Sequence, residues 1–431
     1  MRDIALFAFV FGMLPFILKH SYIGVLAWSW VSYMNPHRLT WGAAYGFPFA
    51  QVVGLALLIS LMFNKDPKKL PFNSMMGLWI AFMLWTLLTS ATAIFPNDAL
   101  TYEVQVFKIQ LVIFISLWIM GTEQRIKLMI WVMFFSVGFF GIKGGVFTIM
   151  TGGAGRVWGP GGSFIKDNNH LATALLMVIP LGLYLRKHEV KKKLHKNLML
   201  LCVLLITASV LGSFSRGAFL AIGVVSLYLW WKSSSKLITG VFGALALILL
   251  IFSMPASWMD RMASIQNYEE DASAAGRLNS WVYAINLAND RVTGGGYLSW
   301  SDETFARWAP NPDRVLVAHS IYFSVLADHG WIGLIMFVSL FYMGWHKAGK
   351  VAKAVRVRGS PEDEWIADLM NMIKVSLLAY GSGGAFLSLA YFDLPWHLLA
   401  VIILVEQQAI AKGLMDKQQN ALQRFSRRAA T

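Results

Sequence analysis

The sequence has one cysteine, Cys202, and few charged residues, and these shortages exclude several classes of protein. A single cysteine forms no disulfide, iron–sulfur cluster or cysteine-based zinc site within one chain. No HExxH motif, Cys/His array, P-loop or strand-linked GxGxxG motif occurs. We therefore predict neither a bound metal nor a nucleotide cofactor. Charged residues make up only 14% of the chain, well below the share that a soluble protein carries.

Hydrophobic residues, in contrast, make up 57% of the chain and occur in long runs. A helix needs about 20 apolar residues to cross a hydrocarbon layer about 30 Å thick. The sequence predicts an all-α polytopic membrane protein with about twelve transmembrane helices. Besides a split apolar segment at residues 4–34, the predicted spans are 47–63, 73–94, 105–121, 125–142, 169–185, 197–213, 216–231, 237–253, 325–345, 371–390 and 395–412.

Basic clusters predict the orientation of these helices, because Lys and Arg in short loops stay on the cytoplasmic side. Residues 64–69, 186–196, 347–358 and the C-terminal tail are the strongest such clusters. If residues 4–34 cross the membrane once, both termini are cytoplasmic. The net charge of +14 then faces anionic membrane lipid, and it does not indicate a nucleic-acid partner.

The predicted organisation has four parts. Residues 1–253 carry the first nine or ten spans, residues 254–318 form one large periplasmic loop, residues 319–412 carry the last spans, and residues 413–431 form a basic cytoplasmic tail. The large loop contains five Arg and no Lys. Arg is the cation that pairs bidentately with phosphate oxygens, so this choice is typical of a phosphate site.

Residues 276–290 of the large loop have helical periodicity. Leu278, Trp281, Ile285 and Ala288 share one predicted face, and Arg277 opens the predicted helix. The loop is predicted to carry amphipathic helices that either lie on the bilayer surface or cover a cavity as a lid.

His319 enters the membrane with the next span, in the stretch VLVAHSIYFSVLADHG at residues 315–330. If residues 319–345 form a continuous helix, Gly330 lies beneath His319 and Tyr322 shares its face. A histidine above such a groove suits general-base catalysis. The alternative is an interfacial histidine bonded to a loop carbonyl. His170, His329 and His397 compete for the same role, and no role is predicted for Asp328.

The turn SFSRGAFL at residues 213–220 holds Arg216 at the outer membrane surface, with Leu220 one turn below. It is either a phosphate ligand or an ordinary arginine reaching the headgroups. Lys166 and Arg156 are candidates from their position in the outer loop alone. Asp393 near Pro395 either caps a helix or orients a catalytic side chain.

These residues resemble the O-antigen ligase and polymerase superfamily of bacterial inner membranes. That family is known for an Arg followed by a Leu four residues on, here Arg216 and Leu220. It is also known for a His separated by ten residues from a Gly, here His319 and Gly330. The N-terminal third, with WSWVSYMNPHRLTWG, is similar to O-glycosylation ligases associated with exosortase loci.

The resemblance implies metal-independent, inverting glycosyl transfer at the periplasmic face. The donor is a glycan on undecaprenyl pyrophosphate, and the acceptor is a hydroxyl of lipid A-core in lipopolysaccharide biosynthesis. His319 is then the general base and Arg216 and Arg277 bind the pyrophosphate, while Asp393 corresponds to an acidic residue late in the family's chain.

Two alternatives stay open at the level of the sequence. The first is another transferase with the same donor, either an O-antigen polymerase or a protein O-glycosylation ligase. Polymerases of the superfamily tend to have two large outer loops, and this chain has one. The second is a transporter of lipid-linked glycans, which needs ionisable residues along a path through the bilayer.

Overall fold

The protein is all-helical in the part that the computed structural model describes, which is residues 1–64, 70–238, 240–241, 243, 258 and 272–415. This confirms the predicted all-α class. The helices are α1 Arg2–Lys19, α2 Ser21–Met34, α3 Phe49–Phe63, α4 Ser74–Ala91, α5 Pro96–Ile119, α6 Glu123–Met150, α7 Asn168–His188, α8 Lys193–Leu211, α9 Arg216–Lys232, α10 Ala272–Asp290, α11 Asp302–Trp308, α12 Ile321–Arg358, α13 Glu364–Gly384 and α14 Asp393–Ala411.

Seven of these helices are long and apolar enough to cross a membrane by length and composition, namely α4 to α8, α12 and α14. The chain is therefore a multi-pass membrane protein. Most of the predicted span at 237–253 lies outside the described residues, as do residues 416–431 of the predicted tail. The count of twelve crossings accordingly stays a prediction.

The N-terminal segment contradicts the predicted single crossing of residues 4–34. His20 has an extended backbone, and the chain reverses there so that α1 and α2 pack antiparallel. Phe9 of α1 lies against Trp30 of α2, with ring centroids 5.3 Å apart. The carboxylate of Asp3 accepts hydrogen bonds from the backbone of Gly42 and Ala44, just beyond α2. Both α1 and α2 are short. By packing against each other, each buries one face that a single broken span would expose to lipid.

The bundle has two distinct ends. One end, here called the loop end, carries the loops at 151–167 and 291–320. At the other end, here called the basic end, the two basic clusters around α7–α8 and α12–α13 meet through ion pairs. The Lys187 ammonium lies 2.7 Å from the Glu364 carboxylate, and Lys127 lies 2.9 Å from Glu189.

The start of α1 and the end of α14 lie at opposite ends, which contradicts the prediction that both termini share one side. Lys412 pairs with Glu123 at the start of α6, at the basic end. Arg38, which follows α2, lies against Gly162 in the loop beyond the other end of α6. Arg2 donates to the Leu39 carbonyl oxygen next to Arg38, so the N-terminus belongs to the loop end.

Helix α12 is broken, contrary to the continuous helix predicted from His319. Gly330 has φ 66° and ψ −172°, a conformation that other residues essentially never adopt. His319 itself precedes the helix and has φ 45°. An upper segment at 321–329 and a longer lower segment result, so Gly330 does not lie beneath His319 on one helical face.

Candidate functional site

His319 lies at the loop end, where a segment at 314–318 without regular secondary structure leads into α12. Helix α10 holds this segment from one side. The Trp281 indole N–H donates to the Ala318 carbonyl oxygen at 2.8 Å, and the Ser280 hydroxyl donates to the Leu316 carbonyl oxygen at 2.7 Å. The large loop therefore fixes the position of His319 directly.

The packing of α10 differs from the prediction. The helix begins at Ala272, so Arg277 lies in its second turn. Leu278, predicted on the apolar face, is 47% exposed. The buried face includes Asn279, whose side-chain amide donates to the carbonyl oxygens of Asn311 and Arg314. The helix packs on a polar backbone segment and on upper α12 through Tyr283 and Leu287, which lie outside the predicted apolar face.

The electrostatic surroundings of His319 favour its neutral form. The side chain is half-buried, and among the described residues the imidazole has no hydrogen-bond partner. Burial lowers the pKa of His319, the nearby Arg277 guanidinium lowers it further, and the Asp167 carboxylate opposes both effects. A neutral imidazole keeps one nitrogen lone pair available, so His319 can accept a proton.

The start of α7 forms the second side of the site. Asp167 caps the helix by accepting a hydrogen bond from the Asn169 backbone N–H at 2.8 Å. His170 lies within electrostatic reach of His319, Asp167 and Lys166. Both ring nitrogens of His170 are buried without a hydrogen-bond partner in the described part of the chain. The structure thus brings one competing histidine next to His319, and Lys166 lies exposed beside them.

Arg216 lies where the turn at 212–215 meets α7. It begins α9, as predicted, and the Ser215 hydroxyl caps that helix by accepting from Ala218 N–H at 3.1 Å. The Asn168 side-chain amide donates to the Ser213 carbonyl oxygen at 2.6 Å, which ties the turn to α7.

Arg156 approaches the same turn from the neighbouring loop. Its guanidinium carbon lies 6.0 Å from the centroid of the Phe214 ring, and Val157 N–H donates to the Gly212 carbonyl oxygen at 3.1 Å. Two predicted arginines therefore lie on one turn, although they lie sixty positions apart in the sequence.

An apolar groove of about 340 Å³ opens between α12 and α13. It begins at Ile321, two residues after His319, and ends at Trp345. The Tyr322 hydroxyl donates to the Gly381 carbonyl oxygen at 2.9 Å, so Tyr322 forms the groove wall and does not share a helical face with His319. The groove is lined mainly by apolar and aromatic side chains, which is chemistry suited to a lipid chain.

Asp393 has a partner that the sequence did not suggest. It is the first residue of α14, whose N-cap is Phe392, so its predicted helix-cap role is wrong. Its carboxylate instead accepts a hydrogen bond from the Ser32 hydroxyl of α2 at 2.6 Å. One turn further along α14, the His397 ring nitrogen Nδ1 lies 2.5 Å from the Tyr33 hydroxyl. Both contacts tie the last helix to the N-terminal hairpin.

Comparison with known families gives two matches that together cover most of the chain. Residues 200–338 match a family model described as O-antigen ligase, and this segment contains Arg216, Arg277 and His319. The match supports assigning the chain to the O-antigen ligase superfamily. Residues 1–190 match a family of unknown function, DUF5935. No curated protein matches the chain.

The candidate site combines both matched segments. Around His319, the O-antigen ligase segment supplies Arg277 and the groove residue Tyr322, and the N-terminal segment supplies Asp167 and His170. Arg216 directly follows the turn that Asn168 of α7 binds. The match supports a function of the O-antigen ligase or polymerase type in general. Among the described residues, no group of three or more His, Cys, Asp or Glu side chains could hold a metal ion.

Sequence reasoning missed Asp167 and the α10 contacts that position His319. Asp167 carried a weak signal, because it directly precedes Asn168 and an apolar run, as a helix cap does. The polar contacts of Asn279 and Ser280 carried none, since Asn and Ser side chains are also common on solvent-facing helices.

Proposed function

We propose that the chain is an O-antigen ligase that transfers a glycan from undecaprenyl pyrophosphate to a hydroxyl of lipid A-core. The observation that carries this proposal is the placement of His319. Its imidazole is half-buried, lies within electrostatic reach of the Arg277 guanidinium, and precedes by two residues the first residue that lines the apolar groove. A base, a phosphate partner and a lipid groove at one membrane surface are what this reaction needs.

The donor would bind with its prenyl chain in the groove between α12 and α13 and its pyrophosphate at the loop end. Arg216 and Arg277 bind the phosphate oxygens, since guanidinium groups make bidentate hydrogen bonds to phosphate. Exposed Arg156 and Lys166 add positive charge around the site. This arrangement needs neither a metal ion nor a nucleotide.

In the transfer step, an acceptor hydroxyl oxygen attacks the anomeric carbon of the donor sugar and forms the new glycosidic bond. His319 takes the hydroxyl proton, and the bond from the anomeric carbon to the phosphate oxygen breaks with its electron pair leaving on oxygen. The configuration at the anomeric carbon inverts. Arg216 and Arg277 stabilise the charge that develops on the departing pyrophosphate.

The proposed topology places the loop end in the periplasm and the basic end in the cytoplasm of a bacterial inner membrane. The ion-paired basic clusters around Lys187 and Lys127 mark the cytoplasmic side by the usual distribution of Lys and Arg. The N-terminus then starts in the periplasm, and α14 ends in the cytoplasm.

A defined transfer reaction tests the proposal. Purified protein in detergent is mixed with undecaprenyl-pyrophosphate glycan and lipid A-core, with a chelator present and nucleotide absent. We expect a glycosylated lipid A-core that migrates more slowly on a gel. Transfer only to a second lipid-linked glycan would show a polymerase, and transfer only to polypeptide would show a protein ligase. Donor movement across vesicles without any new glycosidic bond would show a transporter.

Transfer activity should fall at acid pH, and the pH of this acid limb should reflect the pKa of His319. Only the neutral imidazole accepts a proton, so activity is lost as pH falls through the pKa of His319. Because burial and Arg277 lower that pKa, the limb should lie below the ordinary value near 6.5. Arg277→Gln should shift the limb to higher pH, and Asp167→Asn should shift it to lower pH.

The measurement is kcat/KM of the residual transfer activity across pH 4.5 to 8 for the parent and both variants. If the two variants shift the acid limb in opposite directions, the titrating group is one that both Arg277 and Asp167 influence. Displacements in the same direction, or no displacement, would assign the limb to another group.

A further inference from the structure

The break in α12 is bound by buried polar side chains that the proposed mechanism does not use. Asp328 and His329, the last two residues of upper α12, are 5% and 0% exposed. Burying such groups costs free energy unless they make hydrogen bonds. Their contacts show what this polar pair does in the fold.

His329 fastens α12 to α4 through two groups. Its ring nitrogen Nδ1 lies 2.6 Å from the Thr89 hydroxyl oxygen. Its carbonyl oxygen, freed by the break at Gly330, accepts a hydrogen bond from the Trp85 indole N–H at 2.9 Å. The end of upper α12 therefore has a fixed height and rotation against α4.

Asp328 fastens the same point to two other elements. Its carboxylate accepts a hydrogen bond from the Tyr391 hydroxyl at 2.9 Å, in the loop before α14. Its carbonyl oxygen accepts from Gly296 N–H at 3.0 Å, and the Ala327 carbonyl oxygen accepts from Gly295 N–H at 2.8 Å. The large loop thus completes the hydrogen bonds that the helix loses at its break.

Tyr297 directly follows Gly295 and Gly296, and its ring packs against the rings of His329 and Tyr391. The ring is 1% exposed and meets the His329 ring edge-on, with centroids 4.7 Å apart and planes at 89°. It also meets the Tyr391 ring at 5.0 Å. Asp328, His329, Tyr297, Tyr391 and Thr89 form one buried cluster, here called the polar anchor.

The polar anchor lies at the far end of the segment that begins beside His319. Nine helical residues separate the two ends, about 14 Å at 1.5 Å per residue. Helix α10, which carries Arg277, packs on the same segment through Tyr283 and Leu287 against Leu326. One rigid unit therefore carries both side chains proposed to act on the donor and the acceptor.

We propose that Asp328 and His329 are positioning residues, which lock upper α12 and the large loop so that Arg277 and His319 face the same donor. This inference rests on the proposed function for its kinetic consequence. The structural consequence stands without it, because the polar anchor joins the loop to the bundle whatever the reaction is.

The kinetic experiment compares four variants of the full-length protein in the transfer reaction. Asp328→Ala and His329→Ala should reduce kcat on the order of 10²-fold, since a misplacement of about 1 Å costs that much. The KM for the donor should change less than kcat, because the groove proposed to bind the prenyl chain is left intact. Asp328→Asn keeps an acceptor for Tyr391 and should retain most activity, and Tyr391→Phe should lose more than Asp328→Asn.

A distance measurement tests the lock without any reaction. In a Cys202→Ser background, spin labels are placed on exposed Val282 of α10 and exposed Leu100 of α5. We expect one narrow distance distribution in the parent and in Asp328→Asn, and a broadened one in Asp328→Ala and His329→Ala. Tyr391→Phe provides the same comparison if an alanine variant does not fold.

The two experiments separate the two proposals. An unchanged distribution in all variants, or an unchanged kcat in an active enzyme, would overturn the positioning role. If the parent transfers no glycan at all, the proposed function fails, while a broadened distribution would still show that the polar anchor locks the loop.

Discussion

Replacing His319 by alanine should reduce the rate of glycan transfer by about 10² to 10⁴, the range that a general base contributes. The loss should appear in kcat, because the histidine acts on the acceptor proton and not on the donor pyrophosphate. Folding should be unaffected, since the side chain is half-buried and makes no hydrogen bond to the described residues.

The measurement is a steady-state transfer assay with donor and acceptor varied separately, together with thermal unfolding of the same sample. His195→Ala is the matched control, since it removes an exposed histidine of α8 at the basic end. We expect the control to keep parental kcat and KM. If His319→Ala turns over at the parental rate, or if His170→Ala loses more activity, the general base is a group other than His319.

Hydropathy predicted the helices well because burial in lipid is a property of each segment. The predicted spans from 47–63 to 216–231 each correspond to a helix, and the start of α9 at Arg216 was placed correctly. Errors arose where contacts with neighbouring elements determine the end of a helix. Residues 371–390 were predicted as a span, yet α13 ends at Gly384, since the chain beyond it turns to present Tyr391 to Asp328.

Candidate site residues could be proposed from the sequence, but their geometry could not. Arg216 and His319 were proposed from residue type and spacing, and their roles stay predictions. The proximity of His319 to Asp167 depends on α13, which packs against both α7 and α12 and lies far from α7 in the chain. Periodicity carries no information about such pairs, and so Asp167 was missed, whereas Arg277 was predicted as a site residue for its charge.

The spacing between His319 and Gly330 was recognised correctly and interpreted wrongly. A continuous helix would have used the glycine as a small residue beneath the histidine. The structure uses it to end upper α12, so that loop backbone from Gly295 and Gly296 can enter. The same ten-residue spacing thus sets the length of a short segment that has His319 at one end and the polar anchor at the other.

This role predicts that Gly330→Ala will be among the most damaging substitutions in the chain. A Cβ atom at Gly330 would lie 2.1 Å from the Val292 carbonyl oxygen, and its backbone angles are open only to glycine. Strain at such a position costs about 1 to 3 kcal/mol before any clash is counted. The clash is with backbone, which cannot rotate away, so upper α12 and the large loop must separate.

We therefore expect Gly330→Ala to lower the unfolding temperature in detergent by several degrees and to abolish transfer. Gly223→Ala in α9 is the matched control, because nothing lies within 4 Å of a Cβ atom there. That change should leave stability the same or raise it, since alanine is favoured over glycine in a helix by about 1 kcal/mol. Equal stability of the two variants would mean that the loop does not depend on this break. The shared spacing of His319 and Gly330 would then have to act through the groove beneath the histidine, as the continuous helix first suggested.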